Sequence, residues 1–317
     1  MNIKELQERQ SWTLNKKIDH AVGAIEAFIS RTGKTPYVGF SGGKDSTVLL
    51  DLVRRFVSKD IKAVFCNTGN EFPEIIKFVR GTENVRIISP DRTVKKILDK
   101  YGFPLVSKEQ SLYINNARHT KSAKLLNKRL NGCSAYKIGK ISERWKFLIN
   151  ARFEVSPKCC FYLKKKPFHK YEKETGELPI LGIMAEESKL RQSSYLRRGG
   201  CNSFMGKIAS HPISIFLERD IWEYKRRFKI NFCSLYDLPG VKRTGCMFCG
   251  FGAHRERDFT RFELLYDLHP KAYKMFMDYK NNGVTYREAL RAVGVLLPDE
   301  VRQLRLFDDA DFCCRMK

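Results

Sequence analysis

Apolar residues recur at helical spacing from residue 13 to residue 32, where Ile18, Val22, Ile25 and Ile29 share a face and Gly33 supplies a stop. The short apolar run YVGF (37–40) reads as a buried strand, and Thr47–Ser58 as a helix with Leu49, Val53 and Phe56 on one side. The alternation continues with IKAVFC (61–66) as strand, PEIIKFVR (73–80) as helix, VRIIS (85–89) as strand and TVKKILDKYG (93–102) as helix. Strands alternating with helices predict βαβ units and a parallel sheet covered on both faces, an α/β architecture. After about residue 110 the rhythm gives way to a basic, mostly helical-looking insertion reaching about residue 175. LPILGIMA (178–185) resumes the strand pattern, and from Asp220 onward the chain reads as helices and loops, with no internal repeat.

The junction between YVGF and the helix after it is SGGKDS, residues 41–46. A Gly-rich turn from a parallel strand into a helix aims backbone N–H groups and the positive helix end at one spot. Gly42 and Gly43 allow close approach of an anion, and Lys44 adds a point charge, so the expected ligand group is phosphate. The spacing matches neither Gly-x-x-x-x-Gly-Lys-Ser/Thr nor Gly-x-Gly-x-x-Gly.

Ser41-Gly42-Gly43-Lys44-Asp45-Ser46 resembles the PP-loop of the adenine-nucleotide α-hydrolase superfamily, which includes ATP pyrophosphatases and the phosphoadenosine-phosphosulfate (PAPS) reductases. FCNTGNEFPE (65–74) resembles the reductases' Asp-Thr-Gly-x-x-Phe-Pro-Glu segment, with Asn67 where an acid is usual. LGIMAEESKLRQ (181–192) is similar to their Gly-x-Arg-x-x-Glu-Ser-x-x-Arg segment, with Met184 replacing an arginine, and residues 211–237 resemble their Pro, Trp and Tyr-Asp stretch. The resemblance spans roughly residues 35–255 and implies a Rossmann-like parallel sheet. It implies that Ser41, Gly42, Gly43, Lys44, Asp45, Ser46, Thr68, Gly69, Gly182, Glu187 and Ser188 bind the nucleotide. Lys44, Asp45 and Arg191 are the candidate catalytic residues, with Asp45 orienting Lys44 or Mg²⁺ and Arg191 pairing with phosphate or sulfate oxygens. The corresponding division is a PP-loop domain at residues 1–235, carrying the basic insertion, and a C-terminal helical region at residues 236–317.

Composition adds two features. The net charge is +24, and Arg118–Lys170 holds fifteen Lys and Arg against two acids, a net +13. Such a field attracts polyanions, nucleic acid above all, so tRNA or DNA is an expected partner. The ten cysteines accompany no apolar leader, since Met1–Arg9 is polar, and no run long enough to span a membrane. A cytoplasmic protein without a disulfide framework is therefore expected. Cys66 reads as a buried small residue.

The tandem Cys159-Cys160 and the Gly-flanked Cys246-x-x-Cys249 together offer four thiolates to a metal centre. A tandem pair followed by a distant Cys-x-x-Cys resembles the cysteine pattern of adenylylsulfate-type reductases and DNA-phosphorothioation proteins, which implies a 4Fe-4S cluster. Thiolate count alone leaves zinc open. The histidines show no ligand spacing among themselves. The chain lacks the reductases' C-terminal Glu-Cys-Gly-x-His segment, leaving Cys313 and Cys314 either as a mobile nucleophile or as an exposed tail.

The leading expectation is an enzyme that cleaves ATP between the α and β phosphates and passes sulfur to a nucleic acid. The sulfur donor would be of the cysteine desulfurase or thioredoxin kind, and a dimer is one option for assembly. The alternatives are a sulfonucleotide reductase releasing sulfite and a nucleic-acid-binding protein with a degenerate nucleotide pocket.

Overall fold

The computed structural model describes residues 2–133, 138–256 and 260–301. In chain order the elements are α1 (Ile3–Ser11), α2 (Leu14–Thr32), β1 (Pro36–Gly39), α3 (Lys44–Phe56), β2 (Ala63–Cys66), α4 (Pro73–Arg80), β3 (Val85–Ile88), α5 (Val94–Tyr101), α6 (Lys108–His119), α7 (Ala123–Asn131) and α8 (Lys158–Cys160). There follow α9 (Lys166–Thr175), β4 (Leu178–Leu181), α10 (Lys189–Arg198), β5 (Asn202–Ser203), β6 (Ala209–Ser210), α11 (Glu218–Phe228), α12 (Arg261–Leu268), α13 (Pro270–Met277), β7 (Lys280–Asn281), β8 (Val284–Thr285) and α14 (Tyr286–Ala292). The chain forms two compact units, one of residues 1–67, 71–90 and 166–244, the other of residues 68–70, 91–165 and 245–317.

The first unit is the α/β fold that the strand–helix alternation predicts. Its six-stranded sheet has the order β3-β2-β1-β4-β6-β5, parallel throughout except for the antiparallel β5–β6 edge. Strands buried on both faces must be apolar along their whole length, and β2 is, with Ala63, Val64, Phe65 and Cys66 all buried. Gly39 leaves room where β1 meets β4: a Cβ there would lie 2.5 Å from Leu181 Cδ2, which would have to move aside. The chain order reverses between β1 and β4, which opens a crevice at their carboxyl ends.

Several boundaries differ from the sequence reading for local reasons. Helix α3 begins at Lys44 rather than Thr47, because Gly43 takes the extended N-cap conformation and Asp45 sits favourably in the first turn. Strand β4 stops at Leu181, and a 3₁₀ turn occupies Ala185–Glu187. The C-terminal part contains a small hairpin, β7–β8, besides its helices. On α2 the buried stripe runs through Leu14, Lys17, Ile18, Ala21, Ile25 and Phe28, and Phe56 on α3 is 40% exposed.

Lys17 is fully buried, with its Nζ 2.5 Å from Asp220 Oδ2, and Asp220 also accepts the Leu217 N–H at 2.7 Å. This pair ties α2 to α11. The second unit gathers α5–α8, α12–α14, the β7–β8 hairpin and a π-helical turn at Phe161–Lys165. No helix among the described residues is long and apolar enough to cross a membrane.

Breaking a buried ion pair on one side strands the other charge. Asp220→Ala should therefore lower stability by about 3–5 kcal/mol, read as a fall in the urea midpoint. Combining it with Lys17→Met should recover most of the loss, because neither charge then remains buried.

Candidate active site

The crevice at the β1/β4 switch point is an open cleft of about 590 Å³ lined by Ser41, Gly43, Lys44, Asp45 and Ser46 from the strand–helix turn. Gly182, Glu186, Glu187 and Arg191 line its other wall, with Glu218, Tyr236, Lys242, Arg243 and Thr244. The turn is braced from within. Ser46 Oγ donates to Gly43 O at 2.9 Å and accepts the Ser41 N–H at 3.2 Å, while Thr47 Oγ1 donates to Gly43 O at 3.0 Å. No side chain of its own N-cap residue caps α3, because Gly43 has none to offer.

Two glycines are there for space. Gly42 has φ +70°, and a Cβ on it would stand 2.9 Å from Ile75 Cγ2. Gly42 therefore packs the turn against α4 and is not among the cleft-lining residues. Gly182 lets the end of β4 approach the first turn of α3, where a Cβ would meet Asp45 O at 3.2 Å.

Lys44 is 6% exposed, with Nζ 3.0 Å from Asp45 Oδ1 and 3.8 Å from Glu218 Oε1. Its backbone N–H donates to the Tyr236 hydroxyl at 3.2 Å, and that hydroxyl lies 3.0 Å from Thr244 Oγ1. Arg191 is ion-paired to Glu187. Burial lowers the Arg191 pKa first, the Arg243 guanidinium lowers it further, and Asp45 opposes both. Ser188 is the N-cap of α10, its Oγ accepting the Arg191 N–H at 3.3 Å, and does not line the cleft.

Of the residues expected to hold nucleotide, the cleft thus unites Ser41, Gly43, Lys44, Asp45, Ser46, Gly182, Glu187 and Arg191. Thr68 and Gly69 belong to the second unit and are not among its lining residues. Sequence reasoning missed Tyr236, Thr244, Glu186, Glu218, Lys242 and Arg243. The Tyr-Asp turn at residues 236–237 was the one available signal for Tyr236.

All four candidate metal ligands lie in the second unit. Cys159 is buried in a cluster with Ile97 and Leu163, against which Val94, Tyr101, Cys160, Tyr162 and Phe251 pack. The Cys246–Cys249 loop is pinned at several points. Cys249 N–H donates to Cys246 O at 3.1 Å, Met247 N–H to Asn70 O at 2.9 Å, Tyr286 Oη to Phe248 O at 2.6 Å and Arg261 Nη1 to Cys249 O at 3.0 Å. Gly250 is obligatory, since a Cβ would lie 2.5 Å from Pro104 O.

A hydrogen bond to Cys160, burial, and the charges of Cys160, Cys249 and Cys246 push the Cys159 thiol pKa up. The same hydrogen bond, with Lys108 and Lys164 nearby, pulls the Cys160 pKa down. Cys159 is therefore within reach of the charges of the other three thiols. Among the described residues no set of three or more His, Cys, Asp or Glu is gathered tightly enough to hold a metal ion as it stands. The donor set has the soft-thiolate chemistry that iron–sulfur clusters and zinc both select. Cys313 and Cys314 lie outside the described residues.

The model of the phosphoadenosine phosphosulfate reductase domain family matches residues 35–250. The chain belongs to that family. Among curated relatives, two uncharacterized proteins of Methanocaldococcus jannaschii are 27% and 25% identical over 73% and 84% of this chain. GMP synthase of Brachyspira hyodysenteriae is 27% identical over 29% of it. The chain spans only 39%, 53% and 18% of the lengths of those three proteins.

Among solved structures, phosphoadenylyl-sulfate reductase from Candida auris, a phosphate complex, overlays with a TM-score of 0.39 at 14% identity, covering 78% of this chain and 96% of its own. The U34-tRNA thiolase NcsA from Methanococcus maripaludis, with its 4Fe-4S cluster, overlays with a TM-score of 0.36 at 13% identity, covering 84% and 81%. Overlays this loose carry no functional argument.

Gly42→Ala tests the packing of the PP-loop. Left-handed backbone costs a side-chain-bearing residue roughly 1–2 kcal/mol, before any clash with Ile75. The variant should unfold at lower urea and bind pyrophosphate more weakly by calorimetry. Gly23→Ala, in α2 with nothing within 4 Å of the added Cβ, should instead gain about 0.5–1 kcal/mol.

Proposed function

We propose that this family member binds ATP or a related adenine nucleotide at Ser41–Ser46, cleaves it at the α-phosphate and supports sulfur transfer to a nucleic acid. The observation that carries this reading is the N-terminus of α3 at the β1/β4 switch point, its N-cap contributing no side chain, with buried Lys44 beside it and Arg191 and Arg243 facing it. Attack on the α-phosphorus by an acceptor oxygen breaks the bond to the bridging oxygen of the departing pyrophosphate. The charge developing there is met by the α3 amides and by Lys44, with Arg191 turning from Glu187 towards the phosphates.

The cleft's four cations, Lys44, Arg191, Lys242 and Arg243, face four carboxylates, Asp45, Glu186, Glu187 and Glu218. Side-chain charge alone therefore gives a polyphosphate no net attraction. The hard carboxylate oxygens suit Mg²⁺ brought with the nucleotide, which would reverse that balance. Cys159, Cys160, Cys246 and Cys249 would hold the 4Fe-4S cluster, whose contribution is sulfur and electron chemistry; zinc is the rival occupant. The nucleic acid, tRNA or DNA, would meet the basic segment, and a cysteine desulfurase or thioredoxin-like protein would supply sulfur.

The reductase named in the family's description favours a second reading, sulfite release from a sulfonucleotide. Substrate assays separate the two. Pyrophosphate should be released from ATP, whereas sulfite released from adenylylsulfate or PAPS with a dithiol would overturn the first reading for the second. Lys44→Ala with Asp45→Ala should abolish turnover while leaving the circular dichroism spectrum unchanged; full activity in that variant would sink the nucleotide-site assignment.

The cysteine centre makes its own prediction. Anaerobically purified protein should be brown, with about four iron and four sulfide per chain. Cys160→Ser should lower both contents together. A colourless protein holding one zinc would assign the rival metal.

A further inference from the structure

Phe161, the residue after the tandem cysteines, is 42% exposed at the start of the π-helical turn. A single exposed phenylalanine is ordinary. Phe161 differs in what holds it. Its ring meets the Tyr162 ring edge-on, with centroids 5.2 Å apart and planes at 82°. Tyr162 is itself fixed, for Tyr101 stacks on it at 5.2 Å and 15°, and the Arg92 guanidinium lies 4.6 Å from its centroid. The Tyr101 hydroxyl donates to the Tyr162 hydroxyl at 2.8 Å, and Arg92 Nη1 reaches the Tyr101 hydroxyl at 3.4 Å. All four residues belong to the second unit.

The result is an exposed aromatic ring set against a braced aromatic pair, with cations close by in sequence. Lys158 and Lys165 are exposed within four residues of Phe161, and Lys100 lies 5.7 Å from the Tyr101 centroid. An exposed ring on a braced support, with flexible lysines beside it in sequence, matches unpaired nucleic acid, whose bases offer π-faces and whose phosphates follow the lysines. A duplex keeps its bases stacked inside and would use the lysines alone.

We propose that Phe161 is a stacking platform for an unpaired base of single-stranded nucleic acid, with Tyr162, Tyr101 and Arg92 as its brace and Lys158 and Lys165 as its phosphate contacts. The assignment deepens the reading of a nucleic-acid substrate and rests on it.

Fluorescence anisotropy on the full chain tests it, using labelled pyrimidine 12-mers of RNA and of DNA beside a hairpin duplex of the same charge. Base–aromatic stacking of this kind is worth roughly fivefold to a hundredfold in affinity. Phe161→Ala should lose that much for single strands and little for the duplex, with an unchanged salt slope, and Phe161→Trp should restore binding. Lys165→Ala should weaken single strand and duplex alike and flatten the salt slope by about one. Loss in the RNA arm alone assigns RNA, and loss in the DNA arm alone assigns DNA. Equal loss for duplex and single strand, or none for either in Phe161→Ala with native circular dichroism, overturns the platform. Pyrophosphate release by the wild-type protein is read separately: its absence with the Phe161 effect intact would sink the proposed reaction and leave the platform standing.

Discussion

The constraint on which the first unit's chemistry depends is a lysine buried at the wrong end of a helix. The N-terminus of α3 already carries partial positive charge, and Lys44 sits there with only 6% of its surface exposed. Such a placement is costly unless anions come to it. Asp45, in the same first turn, and Glu218, at the start of α11, meet the ammonium. Much around the cleft follows from this arrangement. The turn must be narrow, hence Gly42 against α4 and Gly182 against the Asp45 carbonyl. It must also be stiff, hence the hydroxyls of Ser46 and Thr47 folded back on Gly43 O.

The Tyr236 hydroxyl belongs to the same arrangement. It accepts the Lys44 N–H and stands 3.3 Å from where a Gly43 Cβ would be. A protein hydroxyl thus occupies one of the amide directions that a phosphate oxygen would use. Together with Thr244 Oγ1 it keeps a buried amide satisfied, at the modest net worth of an ordinary hydrogen bond. A charged phosphate oxygen would make a stronger bond to the same N–H.

What was legible in the sequence was whatever short-range pattern dictates. The strand–helix alternation yielded the parallel sheet because buried strands must be apolar, and SGGKDS announced an anion-binding turn because few other needs put two glycines and a lysine there. Tyr236 and Thr244 were not legible as cleft residues, since nothing local distinguishes a tyrosine in a 3₁₀ turn that reaches the first residue of α3, 192 residues earlier. Lys17 was hidden for the same reason: its place on the buried stripe of α2 makes sense only once Asp220 is brought to it. Gly42 was read as a phosphate contact when its tighter constraint is the Ile75 side chain. For the cysteines, spacing identified the thiols as a set, but spacing carries no distance between Cys160 and Cys246.

The charge balance separates two roles that composition runs together. With four cations against four carboxylates, the side chains lining the cleft contribute nothing to the net +24 of the chain. Within the segment Arg118–Lys170, internal contacts also consume part of the positive charge. Arg118 is held by Leu148 O, Phe153 O and Glu154, and Lys140 and Lys146 both pair with Glu143. Lys121, Lys124, Arg144, Arg152, Lys158 and Lys165 remain exposed. The nucleotide proposed for the charge-balanced cleft would have no use for such a surplus. Its self-repulsion costs stability, and a long polyanion would offset that cost, releasing a counterion for roughly each phosphate it placed on the surface.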